Sequence, residues 1–478
     1  MKEINRRSSE RPAEGGTESV AREPRGIQGA EPLQRDQIDF AHEPVRGLFG
    51  KMLWPTLLGM LSMVVLNLSD GAFVGHGAGS DALAAINIAA PIFNIMTGIG
   101  IMFGIGSSII ASVHLSHGNV KAARINATQA LLGSFVMALF FSVLILSNLA
   151  GTCRLFGSND ELIPLASSYL RWIAAFMPLQ MLGMVGEFVV RLDGSPKFAM
   201  SCTLVASILN IILDYVFIFP LHMGLEGAAI ATTLSFACSA VIVVIYVLCF
   251  AKTLKIYRLR ATWKSFLLTL RNLAYQMRAG FSAMLGEIAV SGAIIVGNYV
   301  FIARLGQDGV AAYSVVCYCM PIIFMMANAV VQSAQPIASF AYGAGNGQRL
   351  AQARRVSLES GAIVGLISSA FMIMGSRLIA GLFLSPNDAA YELCLNGLPL
   401  FGVGSLFIAL NLVLIGYLQS IERSAAATVF MLLRGFVIVI PTFLLLPQLL
   451  GTAGMWLAIP ASELATLLLL AAYASFFR

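Results

Sequence analysis

The chain has 478 residues and a formal net charge of +6, and 58% of its residues are hydrophobic while only 11% are charged. Soluble globular domains carry about 25% charged and about 45–50% apolar residues, so this composition excludes an ordinary water-soluble protein. The seven cysteines form no CxxC pair and the single Gly-Lys pair is followed by Met, so neither a cysteine metal motif nor a Walker A loop is present.

The first predicted element is a polar segment at residues 1–45. It holds 16 of the 54 charged residues of the chain, seven of them basic and nine acidic. Such a segment cannot bury enough apolar area to offset the entropy of ordering, so we predict a disordered tail. It also lacks the apolar core of a signal peptide, and we therefore expect membrane insertion to begin with the first hydrophobic span.

Twelve later stretches are long and apolar enough to be membrane-spanning helices, which need about 20 predominantly apolar residues. Because lipid offers open backbone groups no hydrogen-bond partner, we expect these helices to be continuous. In the first half they cover residues 49–72, 83–111, 124–149, 163–190, 198–220 and 225–250. In the second half they cover residues 277–303, 310–338, 352–384, 395–420, 425–446 and 454–476.

Lysine and arginine are unevenly divided between the two sets of alternate loops. One set, which includes a basic connector at residues 252–276, holds 17 basic residues, whereas the opposite set holds only Arg154, Arg304 and Arg377. Basic loops are retained on the cytoplasmic side of a membrane. We therefore predict that the tail, the connector and both termini are cytoplasmic.

The second half of the chain repeats the first at a constant offset of 227 residues: Gly79 corresponds to Gly306, and Pro220 to Pro447. Each half holds six spans, so the repeat is parallel, with a pseudo-twofold axis along the membrane normal. Two such bundles leave a cleft between them. Rocking of one bundle against the other would open the cleft to each side of the membrane in turn, so the architecture favours a transporter over a channel or receptor. The predicted bundles are residues 46–251 and 277–478.

Ionisable residues inside membrane spans are costly, so each is a candidate functional residue. Asp70 lies late in the first span and Asp214 late in the fifth, and these spans run in the same direction, so similar depths are expected. Asn67 and Asn210 precede the two aspartates by three and four residues, on the same helical faces. Two Asn–Asp pairs at one depth predict either an oxygen-rich cation site or aspartates that carry protons. The alternative is that each aspartate caps or hydrogen-bonds a neighbouring helix.

The second half carries different charged residues near mid-depth: Glu287 in the seventh span, Arg434 in the eleventh and Glu463 in the twelfth. We predict that these three residues and Asn67 are candidates to line a substrate cleft. For Arg434 and Glu463 the alternative is a buried salt bridge that satisfies both charges. Glu287 has no evident partner in the sequence, and a carboxylate in the cleft would attract cations.

Ordered motifs run through both halves of the chain. The first half contains LSDGAFVGHGAGSDALAA, GEFVVRLDGSPKFAM and NIILDYVFIFPLHMGLEGAAIAT. The second half contains QPIASFAYGAG, LLRGFVIVIP and GMWLAIPASE. Over about residues 48–476, these motifs resemble the multidrug and toxic compound extrusion (MATE) family, in particular its DinF-like and MepA-like branch.

The resemblance implies export of amphiphilic, often cationic compounds across the inner membrane. The export is driven by inward flow of Na⁺ or H⁺, and no other cofactor is implied. The family's cation-site positions carry over to Asp70, Asn210 and Asp214, with Thr232 as a further ligand; beyond Na⁺ at these residues no metal site is implied. A glutamate in the seventh span of some branches corresponds only loosely to Glu287, because the residues before it are spaced differently.

Two other functional classes share some of these features. A flippase for a lipid-linked or polyanionic substrate has a similar architecture but needs a basic cavity, and here Arg171 and Arg434 are outnumbered by acids within the spans. A membrane-embedded enzyme would need a nucleophile, a metal cluster or paired acids in an active site. We therefore predict a cation-coupled antiporter rather than an enzyme. It is expected to act on small amphiphilic molecules in the lipid bilayer, to bind no nucleic acid and to work as a monomer.

Overall fold

The computed structural model describes residues 38–78, 80–156, 160, 162–259 and 262–476, and nearly all of them are helical. The helices of the first half are α1 (Val45–Gly77), α2 (Ser80–Ser116), α3 (Val120–Ser147), α4 (Leu149–Leu155), α5 (Ile163–Leu192), α6 (Pro196–Ile218) and α7 (Gly224–Ile245), which ends in a π-helical turn (Tyr246–Phe250). The helices of the second half are α8 (Trp263–Gly343), α9 (Gly347–Met374), α10 (Ser376–Phe383), α11 (Ala389–Gly402), α12 (Gly404–Ser420), α13 (Ser424–Leu432), a π-helical turn (Leu433–Val437), α14 (Val439–Leu450) and α15 (Thr452–Phe476).

The helix α8 contains two membrane spans that fold back on each other at Gly306. This residue has φ 65° and ψ −151°, a conformation that glycine adopts without steric cost. Across the reversal, the Tyr313 hydroxyl donates to the Ala293 carbonyl oxygen at 3.3 Å, and the Tyr313 ring stacks on Phe301 at 4.5 Å between centroids. The described residues therefore form eleven apolar helices long enough to cross a membrane, and these make twelve crossings. The predicted all-α fold with twelve transmembrane helices is confirmed.

The internal repeat is visible in the local geometry as well as in the sequence. Gly118 and Gly345 end corresponding helices with φ values of 71° and 67°. The next residues, Asn119 and Asn346, cap α3 and α9, each accepting a backbone N–H three residues on, at 3.1 and 3.0 Å. The short helices α4 and α10 also occupy equivalent positions. The two halves thus share their turns as well as their spans.

Residues 38–44, the end of the segment predicted to be disordered, are packed against the second half. Ile38 is 0% and Phe40 5% exposed, and the Phe40 ring stacks on Phe340. Arg349 donates to the carbonyl oxygens of Phe40 and Glu43 at 2.9 and 2.8 Å. The prediction was wrong for these residues because alternating apolar side chains give even a charged segment a buried face. Residues 1–37 lie outside the described residues.

The connector is also shorter than predicted, because α8 begins at Trp263 rather than at residue 277. Residues 263–276 carry enough basic and polar side chains to resemble a loop. One helical face nevertheless packs on α3, where Gln129 donates to Thr269 at 2.9 Å and accepts from Asn272 at 3.1 Å. The loop part of the connector lies between α7 and α8, and we call this side of the bundle the connector end.

The two bundles meet backbone to backbone near the connector end. A Cβ atom added at Gly280 of α8 would collide with the Met102 carbonyl oxygen of α2, and one added at Gly106 would collide with the Gln276 carbonyl oxygen. Arg191 of α5 also crosses between the bundles, donating to Gln332 of α8 at 2.7 Å. These contacts close the cleft at the connector end.

We expect Gly280→Ala to lower the melting temperature of the purified protein, because the added methyl group must push backbone against backbone. Overpacking of this kind costs about 1–3 kcal/mol. Gly381→Ala is the matched control, since no atom lies within 4 Å of its added Cβ. Equal melting temperatures for the two variants would contradict the close contact.

Candidate cation site

The polar side chains of α6 face the interior of the first bundle, and its apolar side chains face outward. Asn210 and Asp214 lie one helical turn apart, and both are 0% exposed. On the opposite face Ile208, Ile212 and Tyr215 are all more than half exposed, as expected of side chains that contact lipid. The two polar residues are therefore held inside the bundle, where their desolvation needs an explanation.

Asp70 reaches the same place from α1, which packs along α6. Further toward the connector end, Ser207 of α6 donates to Ser62 of α1 at 3.3 Å and ties the two helices together. Asp70 and Asp214 lie within electrostatic range of each other. The structure thus brings together the two carboxylates that the sequence placed at similar depth.

Four side-chain oxygens in this cluster are buried and accept no hydrogen bond from the described residues. They are Asp70 Oδ1, Asn210 Oδ1, and Asp214 Oδ1 and Oδ2. The Asn210 amide group instead donates to Thr232 Oγ1 of α7 at 3.3 Å, which leaves its carbonyl oxygen available to the cluster. Buried polar atoms are normally satisfied, so four unsatisfied acceptors in one cluster are unusual and would suit a positively charged species.

The chemistry of these donors fits a small hard cation or a proton. Carboxylate and amide oxygens are the ligands that hard cations prefer. Asp70, Asn210 and Asp214 would hold such an ion directly, and Thr232 positions the amide of Asn210. Transition metals bind more readily to imidazole and thiolate ligands than to carboxylate and amide oxygens. Among the described residues, His, Cys, Asp and Glu form no group of three or more that could hold a metal ion.

Sequence reasoning missed Tyr169 of α5. This tyrosine is 8% exposed and lies close enough to both carboxylates to interact electrostatically with them. Its only sequence signal was an aromatic residue with a polar tip inside a span, and such residues usually seek a hydrogen-bond partner when buried. Its position beside Asp70 and Asp214 depends on how α5 packs.

Asn67 is not brought into the cluster. It is exposed and makes no hydrogen bond with the described residues, although it stands only three residues before Asp70. A three-residue step leaves two side chains about 60° apart around a helix, and here that rotation separates the half-buried Asp70 from the exposed Asn67. The predicted pairing of Asn67 with Asp70 is therefore wrong, and a role for Asn67 in the cleft stays a prediction.

Glu287 lies on the face of α8 that meets the first bundle. Three residues earlier Met284 contacts Gly98 of α2, and four residues later Ser291 accepts from Asn94 of α2 at 3.3 Å. Glu287 shares this face and makes no hydrogen bond or ion pair with the described residues. It remains a candidate for lining the cleft between the bundles.

Arg434 and Glu463 form a buried ion pair inside the second bundle. Arg434 Nε lies 2.7 Å from Glu463 Oε1, and the two residues are 4% and 3% exposed. Asn411 donates to the same carboxylate at 2.7 Å, and the guanidinium lies over the Phe324 ring at 5.4 Å. The structure supports the salt-bridge alternative and corrects the prediction that they line a substrate cleft, because residues so deeply buried present no surface to it.

Comparisons with known proteins agree with this architecture. The family model described as MatE matches residues 55–216 and 283–445, one segment in each half. The multidrug export protein MepA of Staphylococcus aureus (strain MSSA476) is 24% identical over 436 residues, which are 90% of this chain and 93% of that protein. Its namesake in Staphylococcus saprophyticus is 23% identical over 410 residues, 84% of this chain and 87% of that protein.

Solved structures share the fold. An outward-facing multidrug resistance MATE family transporter of the MOP superfamily superposes with a TM-score of 0.84 at 21% identity. The superposition covers 94% of this chain and 97% of the other. At this identity the likeness supports the arrangement of two six-helix bundles and carries no information about individual side chains.

Proposed function

This chain belongs to the MatE family, and from that premise we propose that it is an antiporter that exports amphiphilic, often cationic molecules in exchange for Na⁺ or H⁺. Membership makes it a multidrug efflux transporter of the MepA-like branch and not an enzyme. The coupling to a cation and the alternating access of the cleft are the parts that we propose.

The single observation that carries the proposal is the cluster of four unsatisfied oxygens on Asp70, Asn210 and Asp214. Two ionised carboxylates in a buried site repel each other, and each loses hydration that the protein does not replace. A bound Na⁺ or proton removes both penalties. Arrival of the cation would therefore change how tightly α1 and α6 pack, which is the kind of change that a transport cycle can use.

The proposed cycle uses the closed connector end. In the described conformation the α2–α8 contact and the Arg191–Gln332 hydrogen bond seal this end. We assign it to the cytoplasmic side because basic loops cluster there. A cation that enters from the opposite side would bind at Asp70 and Asp214, and rocking of the bundles would then open the connector end to release it and to admit substrate.

The decisive experiment is transport by the purified protein in liposomes with each gradient imposed separately. A fluorescent cationic amphiphile should move against an inward Na⁺ gradient at equal pH, or against a proton gradient at equal Na⁺. A response to one gradient alone identifies the coupling ion. Movement that responds to neither gradient would contradict cation coupling.

A further inference from the structure

A cavity of about 480 Å³ opens on the outer surface of the first bundle near the connector end. None of the residues that line it belongs to the carboxylate cluster. Leu132 and Ile256 are 50% and 47% exposed, so the cavity opens toward lipid. Its volume falls within the range of about 300–1,000 Å³ typical of small-molecule sites. The walls are predominantly apolar and include Leu131, Phe135, Leu182, Val243, Val247 and Tyr257.

The connector forms one wall of this cavity and is held firmly in place. Asp193, which follows α5, accepts the backbone N–H groups of residues 252–254 at 3.1, 2.8 and 2.6 Å. The Tyr246 hydroxyl donates to the same carboxylate at 2.9 Å. Further along, the backbone N–H of Tyr257 donates to Thr128 Oγ1 of α3 at 2.9 Å. The cavity is therefore a built feature of the fold and not a gap beneath a loose loop.

Three basic residues lie next to the residues that line this apolar cavity, in sequence or in space. Lys255 and Arg258 flank the connector residues that line it, and both are exposed. Lys121 lies at the start of α3, with its Nζ 5.8 Å from the centroid of the Tyr257 ring. None of the three basic residues forms an ion pair with the described residues. The nearby carboxylate of Asp193 is already occupied by hydrogen-bond donors.

We propose that this cavity binds one anionic phospholipid from the leaflet at the connector end. An acyl chain would fill the apolar interior, and the phosphate would lie against Lys121, Lys255 and Arg258. Basic residues near a membrane surface attract anionic headgroups and repel cations. The rim therefore disfavours the cationic amphiphiles proposed as substrates, so the cavity is a lipid site separate from the transport route.

Native mass spectrometry of the full-length protein with equal amounts of phosphatidylglycerol and phosphatidylcholine tests the proposal. The wild type should retain one phosphatidylglycerol in preference to phosphatidylcholine. The double variant Lys255→Gln/Arg258→Gln should lose about tenfold or more of this retention, since each basic contact contributes. Arg278→Gln/Arg354→Gln removes the same charge from exposed positions of the second half and should retain the lipid as the wild type does.

A second pair of variants changes the cavity without changing the charge. Leu132→Trp places a large ring at the cavity and should reduce phosphatidylglycerol retention severalfold, whereas Leu139→Trp, two turns along the same exposed face of α3, should not. Equal retention of the two lipids by the wild type, or equal loss in test and control variants, would overturn the proposal. Displacement of the lipid by tetraphenylphosphonium would also overturn it, in favour of a site for cationic amphiphiles.

Discussion

Replacing Asp214 with asparagine should abolish cation-coupled export and leave the protein folded. The side chain is 0% exposed, and neither of its carboxylate oxygens accepts a hydrogen bond from the described residues. The substitution keeps the shape and removes the charge that a cation would neutralise. Because a buried, unpaired carboxylate is itself costly, removing its charge should not destabilise the fold. Efflux of a cationic amphiphile from gradient-driven liposomes should fall to the level of protein-free vesicles.

Asp308→Asn provides the matched control, because it makes the same chemical change at an exposed position beside the α8 reversal. This variant should transport as the wild type does. The melting temperatures of both variants should remain close to that of the wild type. Full export by Asp214→Asn in a gradient to which the wild type responds would remove Asp214 from the coupling mechanism.

The largest expected loss of stability follows from breaking the Arg434–Glu463 pair. Arg434→Met leaves the Glu463 carboxylate buried without its cationic partner, and losing one member of a buried pair typically costs about 3–5 kcal/mol. Methionine is flexible enough to pack against Phe324 in place of the guanidinium. The melting temperature of this variant in detergent should therefore fall sharply.

The double variant Arg434→Met/Glu463→Leu should recover much of this loss, since replacing a whole buried pair with apolar residues is often neutral. The same double variant should retain cation-coupled transport if the pair serves only the packing of the second bundle. A double variant as unstable as the single one would contradict the account of an unpaired buried charge. Loss of transport in a stable double variant would instead restore the pair as a substrate-cleft candidate.

The sequence predicted the number and type of spans because long apolar stretches have one solution in lipid. It failed where segments rich in polar residues are ordered by packing. At the start of α8, basic side chains make the sequence resemble a loop, although the opposite face of the helix packs on Gln129. Before α1, burial of the two apolar residues Ile38 and Phe40 orders a charged segment. In each case the contact that decides the structure comes from elsewhere in the chain.

The candidate site also has features that the sequence predicts and features that depend on tertiary packing. The four-residue spacing of Asn210 and Asp214 predicts a shared helical face, because it depends only on helix geometry. The approach of Asp70 to Asp214, the presence of Tyr169 and the exposure of Asn67 depend on the packing and rotation of three helices, which no local pattern fixes. For Arg434 and Glu463, the choice between a substrate-cleft role and a buried ion pair likewise depends on their burial in the folded protein.

Direct cation binding to the purified protein tests the central claim most simply. Equilibrium binding of radioactive Na⁺ at fixed pH, together with proton uptake measured in unbuffered solution, should detect one of the two ions in the wild type. Asp70→Asn and Asp214→Asn should each lose that binding while keeping a normal melting temperature. Unchanged binding of the same ion by both variants would contradict the assignment of the cation to this cluster.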